Sequence, residues 1–269
     1  MTTNHRYLPE HLLLLTAMAL TVTGFWDVFG AKSAQPTAFH YAHTLTTSAW
    51  LVLLMYQLRL VRGGKYQDHR RAGLAVLGLA PLLVATVALL SVHSAQKGIA
   101  SGKGDFLVVQ NVGVTLDLVF LIFVAFLIKK RRALHGAFLL STAVLFIGIA
   151  LFFTLMSFVP TMSNRFMVVG AISQGICLAI GLLFVIRDRR NGWPILLAGV
   201  LLLLNEVVNQ FLRSRGLIEP LTEFVASLNL TLTFVVSFAL YLASLLAAGV
   251  QPKSGPNNSS KPTPLRGAA

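Results

Sequence analysis

The stretch ALHGAFLLSTAVLFIGIALFFTLMSFV, residues 133–159, decides the fold class. It contains a single ionisable side chain, His135, and it exceeds the roughly 20 apolar residues that carry a helix across a bilayer. Seven other apolar segments alternate with polar loops in the same way. We predict an all-α polytopic membrane bundle of about eight transmembrane helices, with spans at 9–30, 36–61, 70–94, 105–128, 133–159, 166–186, 193–212 and 222–249.

The composition is typical of an integral membrane protein. Of the 269 residues 55% are hydrophobic and 12% charged, which leaves too little polar surface to cover a soluble globule. The single cysteine, Cys177, lies in an apolar run, so the chain forms no internal disulfide. Residues 1–251 are predicted to form the bundle. Residues 252–269, rich in proline, serine and lysine, are predicted to be a disordered cytoplasmic tail.

The net charge of +13 follows the predicted topology. The basic residues cluster in short loops, which favours contact with anionic lipid headgroups and argues against a nucleic-acid partner. With both termini in the cytoplasm, the positive-inside rule is obeyed. The cytoplasmic side then carries Arg6, Arg59, Arg62, Lys65, Arg70, Arg71, Lys129, Lys130, Arg131, Arg132, Arg187, Arg189, Arg190, Lys253, Lys261 and Arg266, and the outer side Lys32, Lys97, Lys103, Arg165, Arg213 and Arg215.

Histidines mark the outer end of the second span. His40 and His43 share one helix face with Thr47, Trp50, Leu54 and Gln57, because these residues recur at spacings of three and four. The predicted topology places Asp27, which ends the first span, and His93, which ends the third, at the same depth as these two histidines. The resulting candidates for a divalent transition metal are His40, His43, His93 and Asp27, and those for haem are His40, His43 and His93. Histidines hydrogen-bonded at headgroup level are the alternative.

A second polar set is expected in the same outer half of the membrane. Its members are Gln110 and Asp117 on the fourth span and Asn205, Glu206, Asn209 and Arg213 on the seventh. Ionisable groups inside a bilayer are costly and usually functional, so these residues predict a wet cavity that opens outward. Asp117 and Glu206 are the candidate proton relays or general bases. A hydrogen-bond network that only joins helices is the alternative.

The residues FHYAHTLTTSAWLVLLMYQLRLVRGGKYQDHRRAG, 39–73, carry a family resemblance. With GFWDVF at 24–29 and the basic run that ends in His135, they resemble an uncharacterised family of bacterial polytopic membrane proteins. The family pattern has outer-end histidines, tryptophan, glutamine and a following His-Arg-x-x-Gly. The resemblance implies a bacterial inner-membrane protein of several helices without an established activity. Gly136 departs from the pattern, which has a basic residue after the last histidine.

Three functions fit these features. The first hypothesis is a haem- or metal-binding redox or metalloenzyme component with its site near the outer face, because several imidazoles share one predicted depth. A proton-coupled transporter or carrier is the second, and it depends on Asp117 and Glu206. A structural assembly partner is the third, with polar groups that only hold helices together.

Overall fold

The structure is a computed structural model, and it describes residues 7–32, 34–100 and 106–249. Its helices are α1 (Leu8–Gly24), α2 (Trp26–Phe29), α3 (Ala38–Arg62), α4 (Tyr66–Gly73), α5 (Val76–Ala100), α6 (Phe106–Leu127), α7 (Arg132–Phe158), α8 (Phe166–Arg187), α9 (Trp193–Ser214), α10 (Ile218–Ala226) and α11 (Leu230–Gly249). One 3₁₀ turn, Pro160–Met162, lies between α7 and α8. The predicted tail, residues 252–269, lies outside the described residues.

The polytopic all-α bundle is confirmed. Seven described helices are long and apolar enough to cross a membrane: α3, α5, α6, α7, α8, α9 and α11. Helix α1 is also apolar, but its 17 residues make it about 25 Å long, at the lower limit of a span. The chain is a multi-pass membrane protein whose exposed leucine, valine and phenylalanine side chains contact lipid.

Three predicted spans differ from the helices in their limits. The span 9–30 is divided after Gly24, and only the single turn α2 follows. The span 70–94 included polar residues that form the separate helix α4, so α5 begins at Val76. The span 222–249 began inside α10. Helix α11 starts at Leu230 because Asn229 Oδ1 accepts a hydrogen bond from the Leu232 N–H (3.0 Å), as an N-cap residue does.

Helices α5 and α7 contribute the most extensive buried surfaces of the bundle. Helix α7 packs against α1, α6, α8 and α9, while α5 packs against α3, α6, α10 and α11. Trp50 on α3 is fully buried, and its Nε1–H donates to Thr142 Oγ on α7 (2.9 Å). Helices α8 and α9 approach most closely at Gly181, where a Cβ would lie 2.4 Å from Leu196 Cα. Only glycine permits that approach.

Contacts between helix ends define two ends of the bundle. At the basic end, Arg187 of α8 forms an ion pair with Glu10 of α1 (2.9 Å). At the opposite end, which we call the histidine end, Thr23 Oγ of α1 lies 2.9 Å from Thr154 Oγ of α7. Helices α1 and α7 therefore run in one direction and α8 runs in the other, as the predicted topology requires.

Candidate functional site

The histidine cluster, which consists of His40, His43 and His93, lies where α3 begins and α5 ends. The rings of His40 and His93 meet edge to face, with centroids 5.7 Å apart. His93 also stacks on Phe39 at 4.9 Å. The Nδ1 atom of His40 accepts a hydrogen bond from the Thr37 N–H (3.1 Å) and lies 2.7 Å from Thr37 Oγ. Accepting a backbone N–H leaves Nδ1 of the neutral ring without a proton, so the proton resides on Nε2.

In this tautomer the lone pair that could bind a metal is on Nδ1, and it already accepts the hydrogen bond from the Thr37 N–H. A metal-bound imidazole presents a lone pair to the ion and donates a hydrogen bond through its other nitrogen. In His40 the nitrogen that remains available, Nε2, carries the proton. The arrangement therefore gives a metal at His40 no support.

The other two predicted ligands, His43 and Asp27, make contacts of their own. The His43 ring packs edge to face against Phe25, with centroids 6.1 Å apart, and its Nε2 lies 3.5 Å from Thr47 Oγ. Asp27 accepts a hydrogen bond from Ser157. Within the described ranges, no three His, Cys, Asp or Glu side chains are grouped closely enough to hold a metal ion.

A cavity of about 310 Å³, which we call the Glu206 cavity, opens between α6, α7, α8 and α9. It lies in the half of the bundle nearest the histidine end. Its volume is at the lower end of the range for small-molecule sites. The polar wall contains Gln110, Asn111, Ser173, Gln174, Glu206, Asn209, Gln210 and Arg213, and the apolar wall Leu107, Gly148, Ile149, Phe152, Phe153, Phe166, Met167, Gly170 and Leu202.

Glu206 is the one acidic residue among the described residues that line this cavity. Its Oε2 accepts a hydrogen bond from the amide of Gln110 on α6 (3.1 Å), and its Oε1 accepts one from Gln210, one turn along α9 (2.6 Å). A carboxylate accepts about four hydrogen bonds. Glu206 is thus held in place by two amides and retains acceptor capacity for another donor.

Two further polar side chains of the lining are buried. Ser173 is 2% exposed and Asn209 is 3% exposed. Ser173 Oγ and Asn209 Oδ1 have no hydrogen-bond partner among the residues that the structure describes. A buried polar group without a partner costs about 1–3 kcal/mol, so a wall that contains two such groups is unusual unless they bind something.

Asp117 lies beside the cavity and does not line it. It is buried on α6, and its Oδ2 accepts a hydrogen bond from Asn205 Nδ2 on α9 (2.7 Å). Gly113, one turn away, faces the same amide, and a Cβ there would lie 2.6 Å from Asn205 Oδ1. Helices α6 and α9 are therefore joined by two carboxylate–amide pairs, one at Asp117 and one at Glu206.

The structure separates the predicted polar set into two parts. Gln110, Glu206, Asn209 and Arg213 surround the Glu206 cavity, whereas Asp117 and Asn205 pair with each other. The sequence reading missed the contribution of α7 and α8, whose residues supply most of the apolar wall. The adjacent Ser173 and Gln174 in an otherwise apolar helix were the available signal for α8.

At the basic end, Gln57, His69 and Gly73 form one hydrogen-bonded unit. The Gln57 amide nitrogen donates to His69 Nδ1 and to the His69 carbonyl oxygen (3.2 Å), and its oxygen accepts from the Gly73 N–H (2.9 Å). Burial, with the nearby charges of His135 and Arg70, lowers the pKa of His69. These residues of the 39–73 stretch fasten α4 to α3, which is a structural role.

Comparisons with known proteins add no relative. No protein-family model matches the sequence, and no curated protein or solved structure is significantly similar to the chain.

Proposed function

We propose that this protein is a membrane carrier whose substrate, a small amphipathic molecule, binds in the Glu206 cavity. The proposal depends on one observation: an apolar, phenylalanine-lined wall faces a wall that contains Glu206 and two buried polar atoms, and those two atoms have no partner among the described residues. A network that only joined helices would pair those atoms with each other. The polar wall supports recognition of a headgroup, and the apolar wall supports contact with a hydrocarbon or aromatic body.

Proton coupling is assigned to Asp117. Its carboxylate is buried close to the cavity, and its partner Asn205 precedes Glu206 on α9. A substrate that displaces the Glu206 carboxylate would move this stretch of α9 and alter the surroundings of Asp117. Buried carboxylates in membrane proteins commonly serve as proton relays.

A glycine pair on α8 provides the test. Gly170 lines the cavity and Gly175 does not, and a Cβ on either meets no described atom within 4 Å. Proteoliposomes with wild type, Gly170→Phe or Gly175→Phe would take up solutes from a mixture of amphipathic metabolites, with retained solutes measured by mass spectrometry. We expect at least one solute to accumulate with wild type and with Gly175→Phe, and to fall about tenfold or more with Gly170→Phe. Equal uptake by both variants would refute the carrier site.

Asp117→Asn tests the coupling separately. An amide cannot take up and release a proton near neutral pH as a carboxylate can, so we expect solute-driven acidification of the vesicle lumen to disappear while solute binding persists. The measurement uses a pH-sensitive dye enclosed in the vesicles. Acidification that persists in the variant would remove Asp117 from the proton route.

We further propose that the basic end faces the cytoplasm of a bacterial inner membrane, with both termini on that side, and that Arg131, Arg132 and Arg190 contact anionic headgroups. These three exposed arginines border one surface groove, and the orientation satisfies the positive-inside rule.

The topology can be tested by labelling intact cells with a membrane-impermeant thiol reagent. Because the one natural cysteine, Cys177, is buried, Ser214→Cys should react from outside and Lys130→Cys should not. The reverse pattern would invert the topology.

A metal- or haem-dependent reaction at His40, His43 and His93 is the second candidate. The 5.7 Å separation of the His40 and His93 rings favours it, and the hydrogen bond from Thr37 to His40 opposes it. Metal analysis and a reduced-minus-oxidised spectrum of the purified protein distinguish the two functions.

A further inference from the structure

We infer that the molecule recognised by the Glu206 cavity is an organic ammonium ion with an aromatic or branched apolar body. This inference rests on the proposed function, because it names the substrate class of the same site.

Three side chains near the middle of the polar wall retain the capacity to accept hydrogen bonds: Ser173, Glu206 and Asn209. Glu206 keeps lone pairs after binding the amides of Gln110 and Gln210. Asn209 Oδ1, a pure acceptor, has no partner among the described residues, and the hydroxyl oxygen of Ser173 can accept as well. An ammonium group supplies up to three N–H donors and a positive charge. It is therefore the headgroup that satisfies these acceptors together with the Glu206 carboxylate.

Aromatic rings provide the second element of cation recognition. The rings of Phe152 and Phe153 lie at 90° to each other with centroids 5.4 Å apart, and the Phe166 ring stacks on Phe152 at 6.5 Å. All three residues line the cavity. The negative face of a phenylalanine ring attracts an organic cation, and more strongly where water is excluded. The same rings pack against an aromatic body.

Arg213 is the one basic residue among the described residues of the lining, and its position favours a cation over an anion. It lies two turns from Glu206 along α9, or about 10 Å, and it is exposed. An anion at Arg213 would remain at the mouth, and it would leave Asn209 Oδ1 without a donor. A cation that reaches Glu206 passes the solvated arginine and binds deeper.

Three probes that share one aromatic body separate the possible headgroup charges. They are 2-phenylethylamine, 2-phenylethanol and 3-phenylpropanoate, each measured by equilibrium dialysis against the full-length protein in nanodiscs. We expect the amine to bind at least tenfold more tightly than the alcohol, and the propanoate to bind most weakly. Glu206→Gln should weaken amine binding at least tenfold, whereas Glu206→Asp, which keeps the charge, should lose only a few-fold. Glu219→Gln is the matched control, because Glu219 is an exposed carboxylate of α10 outside the cavity.

The outcomes separate this inference from the carrier proposal. Tighter binding of the alcohol or the propanoate, no measurable binding of the amine, or amine binding that is indifferent to Glu206→Gln would overturn the ammonium assignment. If Gly170→Phe still abolishes binding of whichever probe binds while Gly175→Phe does not, the cavity remains the substrate site. If neither glycine variant affects any probe that binds, both the ammonium assignment and the carrier site fail. Melting curves and gel filtration of each variant show that it is folded.

Discussion

The histidine cluster and the Glu206 cavity lie toward the same end of one bundle, and both are rich in polar side chains. In the histidine cluster, His40 Nδ1 is bound by its neighbour Thr37, His93 stacks on Phe39, and Asp27 accepts from Ser157. In the Glu206 cavity, two buried polar atoms border an open volume and have no partner in the part of the chain that the structure describes. Hydrogen bonding and open space therefore distinguish the two regions better than residue type does.

Residue type alone had favoured the histidines. Imidazoles are the commonest transition-metal ligands, so three at one depth suggested a metal or haem. Spacing does not reveal whether a ring nitrogen already has a hydrogen-bond partner, as His40 Nδ1 has in Thr37. The histidine cluster also contains one unpaired polar atom, because His43 Nδ1 is buried without a partner among the described residues. The difference in hydrogen bonding between the two regions is therefore not complete.

The largest expected effect contrasts Glu206 with the histidine pair. Glu206→Gln should lower solute uptake about tenfold or more, because it removes the charged acceptor of the cavity wall. His40→Ala combined with His93→Ala should leave uptake within about twofold of wild type, because neither side chain lines the cavity. Uptake into proteoliposomes, corrected for the amount of protein incorporated, measures both. If the wild-type protein contains stoichiometric iron or zinc and the histidine variant does not, the histidine cluster and not the Glu206 cavity would be the better candidate site.

A smaller effect is expected from Thr37→Ala. Thr37 is the N-cap residue of α3, and its hydroxyl lies 2.7 Å from His40 Nδ1. Loss of an N-cap side chain costs about 1 kcal/mol of stability. We expect a lower midpoint in thermal or detergent-induced unfolding with solute uptake per folded molecule unchanged. Reduced uptake at unchanged stability would give the histidine cluster a functional role.

The smallest effect concerns pH at the basic end. The pKa of His69 is lowered in the folded protein, mainly by burial, so folding favours the neutral ring. Its contribution to stability is complete above the unfolded-state value of about 6.5, and it is lost as the pH falls through the lower folded-state pKa. Unfolding midpoints of His69→Asn should therefore decline less on acidification than those of wild type. Parallel curves for the two proteins would show that His69 contributes nothing to the pH dependence.

Apolar segment length predicted the bundle, because a membrane accepts few alternatives to apolar helices. The start of α11 was missed because the Asn229 cap is a local hydrogen bond inside a continuous apolar pattern. The α9 side of the cavity follows from the helical spacing of Glu206, Asn209 and Arg213. The α7 and α8 sides do not, because they depend on how far each helix is rotated about its axis. That rotation is set by backbone contacts such as the one at Gly181.

The three tryptophans of the chain provide a depth scale. Trp26 at the histidine end and Trp193 at the basic end are about half exposed, whereas Trp50 is enclosed and hydrogen-bonded to Thr142. Indoles at the two surfaces match the aromatic belts of membrane proteins. We therefore expect brominated lipids to quench the fluorescence of Trp26 and Trp193 and to leave that of Trp50 unchanged. The depths at which the two outer indoles respond give the thickness of bilayer that the bundle occupies, without an added label.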